Sequence, residues 1–106
     1  MRIGRCHKTK FHRVKAENLD RAYDYTTLED YDIAMALGTD WPVWPTLHAA
    51  NSLWSAVGVE QPMSLTAALR AYTEGGAQAV GQDGVLGCLA VGCTADITVL
   101  SASPWD

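Results

Sequence analysis

The chain has 106 residues, of which 48% are hydrophobic and 19% charged, with a formal net charge of −4 at pH 7. This length suits one small domain, and the balance of apolar and charged residues excludes wholesale disorder. There is no apolar run long enough to span a membrane and no secretory-leader stretch at the N-terminus, so a soluble, cytoplasmic chain with no membrane partner is expected.

The charge is unevenly placed. Residues 1–16 carry six bases (Arg2, Arg5, Lys8, Lys10, Arg13, Lys15) and no acid, while the remainder carries Arg21, Arg70 and all 12 acids. Such a split marks an appended arm beside an independent unit. A basic arm can bind polyanions or act as an organelle address, although the serines of such an address are missing and a solvated extension with no partner is the favoured reading. Only Phe11 interleaves with the bases, which argues against stacking on nucleic acid. Cys6, His7 and His12 lie in the same arm, but a metal site there lacks a fourth ligand and a folded frame. The three cysteines, Cys6, Cys88 and Cys93, are too few and too unevenly spaced for a disulfide framework. They are expected as small, half-buried thiols.

Residues 17–30 are acidic and aromatic, with Thr26 or Thr27 as the expected cap of a brief helix and Glu29 or Asp30 in its first turn. Residues 33–37 form a continuous apolar run closed by Gly38-Thr39-Asp40. That pattern suits a buried parallel strand, or equally a buried helical turn, and the abrupt polar stop favours the strand. Trp41-Pro42-Val43-Trp44-Pro45 follows as a rigid loop, because each proline removes a donor and restricts its predecessor.

Residues 46–57 are expected to be helical, with Leu47, Ala50, Leu53, Trp54 and Val57 on one face and Gly58 as the stop. The clearest helix is 64–74, capped by Ser64, with Leu65, Ala68, Leu69 and Tyr72 at helical spacing. Its capping box is incomplete, since Ala67 stands where a glutamate would reach back to the cap. Gly75-Gly76 is expected to break it, with Ala77–Val80 adding one more turn. Residues 81–93 are Gly-punctuated turns without the Gly-Lys-Ser/Thr of a phosphate loop. Residues 97–100, Ile-Thr-Val-Leu, make a β-branched strand.

Asp40 is the acid best placed for chemistry, closing an apolar run and opening a rigid loop. At the end of a barrel strand a carboxylate can bind a metal or take a proton from water. Asp is also a common turn former, and spacing alone favours that reading. His48 stands in the next helix, and Trp41 and Trp44 could line a pocket or simply pack.

Three segments in order resemble amidohydrolase family 3. Ala36-Leu37-Gly38-Thr39-Asp40-Trp41-Pro42-Val43 is similar to its Gly-Ser/Thr-Asp-Trp-Pro-Val stretch. Residues 63–73 are similar to its "leu-ser-x-glu-glu-ala-leu-arg-x-tyr-thr" helix. Residues 87–100 are similar to its closing "gly-ser-leu-x-pro-gly-lys-x-ala-asp-x-val-val-leu". The resemblance covers about residues 30–105.

The resemblance implies an α/β fold: the C-terminal fragment of a (β/α)8 barrel, contributing its last strand and outer helices, plus short strands of the accompanying β-sandwich. It implies hydrolysis of carbon–nitrogen bonds in small-molecule amides with a divalent metal, usually zinc. On this mapping residues 33–37 are the eighth strand, Asp40 is the metal ligand and catalytic proton acceptor, and Trp41 lies at the substrate. Residues 1–27 remain an unassigned basic arm, and 28–106 form the amidohydrolase-like segment.

The chain departs from the family pattern in several places. It has no His-x-His, and His7, His12 and His48 match none of the family's ligand positions. Thr66-Ala67 replaces the paired glutamates, and Val91-Gly92-Cys93 replaces Pro-Gly-Lys. The expected state is therefore an incomplete fragment without metal or activity of its own. It would be marginally stable, self-associating, or completed by a complementary barrel chain. The rival reading is a non-enzymatic binding protein that uses the basic arm.

Overall fold

The computed structural model describes residues 15–43, 45, 47–58 and 62–105. Most of the basic arm, with Cys6, His7 and His12, lies outside the described residues, as does Trp44. A short 3-10 helix, Ala16–Arg21, leads into four α-helices: α1 (Tyr25–Asp30), α2 (Ala49–Val57), α3 (Leu65–Tyr72) and α4 (Glu74–Ala79). No helix among the described residues is long and apolar enough to cross a membrane.

Local chemistry explains the ends of these helices. Helix α1 is capped by Asp24, between Tyr23 and Tyr25, and not by either threonine. The Thr27 amide donates to its carboxylate at 3.0 Å and the Thr27 hydroxyl at 2.6 Å. Both bonds favour the charged form, the hydroxyl bond most, and hold the Asp24 carboxyl below its ordinary value. At its other end α1 closes in a Schellman motif. The Ile33 amide donates to the Leu28 carbonyl and Asp32 to Glu29, with Asp32 in the left-handed region at φ 51°. Helix α4 ends in the same motif with Gly81 at φ 70°, where glycine adopts the conformation without Cβ strain.

Helix α3 begins at Ser64, as its sequence dictates, and the Ser64 hydroxyl accepts from the Ala67 amide at 3.1 Å. The missing half of the capping box is supplied by Glu29, 35 residues upstream in α1. Its carboxylate accepts from the Ser64 amide at 2.8 Å and from the Ser64 hydroxyl at 2.6 Å. These bonds, the hydroxyl's first, hold the Glu29 carboxyl below the usual carboxylate range. Thr26 of α1 adds a hydrogen bond to the Pro62 carbonyl at 3.0 Å, so α1 is stitched to the start of α3 at neighbouring points.

The helix does not end at the glycine pair. Thr73 breaks it, with φ −107° and ψ −83°, and α4 resumes at Glu74 with both glycines inside it. Thr73 donates its amide to Leu69 and Arg70 and its hydroxyl to Leu69, while its carbonyl accepts from Ala77. The exposed Arg70–Glu74 pair at 3.1 Å spans the break. A surface i,i+4 pair contributes at most about 0.5 kcal/mol, so Thr73's hydrogen bonds matter more there.

Gly75 is small for a packing reason. A Cβ there would collide with the Met35 carbonyl oxygen, so the glycine lets the segment before Asp40 lie against the α3–α4 corner. The core is thin. Ala56, Met63, Ala68 and Ala71 form its cluster, with Tyr25, Met35, Leu37, Leu53 and Val57 packed around it. Among the described residues Met63 is the one large side chain that is fully buried, at 2% exposure, and burying such a side chain contributes roughly 1.5–3 kcal/mol.

Neither expected strand has a ladder partner among the described residues. Residues 33–37 and 97–100 carry no regular secondary structure. A strand is defined by its neighbour, and the described residues present only helices and turns beside these segments. The apolar face expected on α2 is also only partly used. Leu53 and Val57 face the core with Ala56, whereas Leu47 and Trp54 are 67% and 64% exposed. Periodicity places these residues on one stripe, but a stripe is buried only where something covers it.

Candidate active site

The site is built at the end of residues 33–40. The Leu37 amide donates to the Ala71 carbonyl at 3.0 Å, satisfying one of the carbonyls that the last turn of α3 leaves open. That bond and the Met35–Gly75 contact fix where the segment leaves the helical body. Asp40 follows, exposed, with its backbone in the left-handed region at φ 56°. Asp tolerates this region better than most residues, but it still carries a local cost. A cis peptide joins Trp41 to Pro42, and the Trp41 ring is exposed.

The structure thus presents Asp40 and Trp41 side by side at a turn, open to solvent. His48 is the N-cap residue of α2, exposed, and its side chain caps no amide there. A divalent metal needs several converging donors, and no group of three or more His, Cys, Asp or Glu side chains converges among the described residues. Those residues therefore do not by themselves form the metal site that the motif resemblance implies.

Reading the residues alone missed two features. Glu29 was expected only as a first-turn acid of its own helix, and no local pattern ties it to Ser64. The cysteines are also corrected. Cys88 and Cys93 are joined in a disulfide, with Cα atoms 6.0 Å apart, and are not the free thiols expected. An odd cysteine count hid a pair whose short spacing and intervening Gly92 turn were the available signal.

Compared with known families, residues 2–106 match the family model described as "Amidohydrolase family". The chain belongs to the amidohydrolase family. The matched span includes the basic N-terminal residues, beyond the stretch of about residues 30–105 that carries the three motifs. No curated protein and no solved structure matches the chain. Amidohydrolases generally use divalent metals, and in this member Asp40 is the motif acid that the described residues leave exposed and without companion ligands.

Proposed function

We propose that this chain acts as the closing segment of an amidohydrolase that hydrolyses carbon–nitrogen bonds of small-molecule amides, and that it needs the remaining barrel to do so. Asp40 is the residue this chain contributes to the chemistry. Its carboxylate takes a proton from the attacking water and returns it to the departing nitrogen. Trp41, next in sequence, offers an aromatic face to the substrate. The fold in which this works is the (β/α)8 barrel with its β-sandwich, residues 33–37 supplying the last strand once a neighbouring strand is present. Zinc is the metal expected of the assembled enzyme, held largely by ligands outside the described residues.

One observation carries this reading: Asp40 stands exposed in a motif-matched position, and no ligand group converges on it among the described residues. The exposed apolar side chains Ile33, Val43, Leu47, Trp54, Ile97 and Val99 support it, because this much uncovered apolar surface suits a piece that packs on a larger body. The test is amide hydrolysis by the chain alone, then with a complementary barrel chain, each with added zinc. No turnover alone, and turnover in the mixture that falls roughly 10²–10⁴-fold in Asp40→Asn, is the expected result. Turnover by the chain alone would overturn it.

A further inference from the structure

We infer that the Cys88–Cys93 disulfide is a redox-sensitive clasp that fastens residues 94–105 to the helical body and releases them when small thiols reduce it. The geometry of the loop carries the argument. Residues 85–94 form a closed excursion, joined at its mouth by the Thr94 amide donating to the Val85 carbonyl at 2.8 Å. Inside it, the Cys93 amide donates to Ala90 at 3.0 Å and the disulfide closes the turn.

One side of the loop is anchored. Gly87, at φ 70°, presses against the Thr73 carbonyl, so closely that a Cβ there would stand 2.5 Å from it. Cys88 follows directly, and the disulfide transmits that anchorage to Cys93 and Thr94. Beyond Thr94 the hydrogen bonds found among the described residues are local, Asp96 to Thr94 and Trp105 to Ser103. Val91, Ile97 and Val99 are exposed, so apolar burial does not replace the covalent tie. Both cysteines are half-buried, so neither residue is sealed in the core. They stand where the family motif has serine and lysine, so the two departures bond to each other.

The chemistry is thiol–disulfide exchange. A glutathione thiolate attacks one sulfur, the Cys88–Cys93 bond breaks as a mixed disulfide forms, and the other cysteine leaves as a thiolate. A second glutathione thiolate attacks the mixed disulfide, releasing glutathione disulfide. The protein has then gained two electrons and, on protonation, two thiols. Glutathione disulfide drives the reverse sequence.

The full chain is equilibrated with glutathione disulfide or with reduced glutathione, then alkylated and digested with trypsin. Arg70 is the last base, so both cysteines fall in the 71–106 peptide and Cys6 does not. No label on that peptide after oxidation, and two labels after reduction, is expected. Two labels after oxidation, or a bond from Cys6 to either cysteine, overturns the pairing, and no labels after reduction overturns the reducibility. Amide exchange is followed in parallel at Thr94 and at Leu37, in wild type and in the Cys88→Ser, Cys93→Ser double variant. Reduction and the double variant should each speed exchange at Thr94 about tenfold or more, from the lost loop constraint, and leave Leu37 unchanged. Equal Thr94 rates in both redox states, or equal acceleration at Leu37, would remove the clasp.

Discussion

Residues 25–80 and residues 85–105 are held together by different means. The first stretch has capped helices, a small core around Met63 and tertiary hydrogen bonds at several points. The second has turns, a disulfide, one hydrogen bond across its mouth and exposed apolar side chains. The helices of the first satisfy their backbone groups internally, while its residues 33–37, like the second stretch, lack a strand partner among the described residues. The second contains a strand-forming sequence, and strands satisfy theirs only through a partner. Local chemistry can fold a helix, but a lone strand waits for its neighbour.

This contrast can be broken most strongly at Met63. Met63→Ala removes the core's one large, fully buried side chain and should cost about 2–5 kcal/mol, read as a lower urea midpoint. A loss under 1 kcal/mol would mean that the small core is not what holds the helices. Gly75→Ala comes next. The added methyl meets the Met35 carbonyl, and overpacking of this kind costs about 1–3 kcal/mol. Amide exchange at Leu37 should rise with it, and exchange as slow as wild type would show that the segment does not lie on the corner.

Ser64→Ala removes both an acceptor for the Ala67 amide and a donor to Glu29, and should cost about 1 kcal/mol, seen by thermal melting followed by circular dichroism. The same junction sets a pH dependence. The Glu29 carboxyl is depressed in the fold, so its contribution is complete above the unfolded value of about 4.3 and is lost as pH falls through the lower folded value. Asp24 is depressed as well and loses its contribution in the same direction. Urea midpoints between about pH 3 and pH 6 should therefore fall with acid, less steeply in Glu29→Gln. An unchanged slope would dissociate Glu29 from the cap. The smallest effect is expected at Asp40→Asn, within about 0.5 kcal/mol for an exposed side chain, although the same change is the one proposed to cut turnover most in an assembled enzyme.

Where structure depends on neighbours in sequence, it was legible beforehand. Ser64 and the spacing of Leu65, Ala68 and Leu69 locate α3 correctly, and Gly58 stops α2 as expected. Gly75-Gly76 misled because a glycine pair usually ends a helix. Here Gly75 admits the Met35 backbone, a contact that spacing cannot reveal. Asp24 takes the cap ahead of both threonines, and Thr27, expected as a cap, instead donates its amide and hydroxyl to that carboxylate. Asp40 and Trp41 are singled out by their motif alone, whereas the left-handed backbone at Asp40 and the long-range partner of Ser64 had no local signature.

The bond from Glu29 to Ser64 also bears on the order in which the chain folds. The first turn of α3 receives its last acceptor only after a loop of 35 residues has closed. Loop closure of that length has an entropic cost that grows slowly with its span, so helix formation at Ser64 and docking of α1 become a single event. A polypeptide beginning after Tyr31 would keep the whole α3 sequence yet lack the carboxylate that completes its start, and it would fray from Ser64 onward.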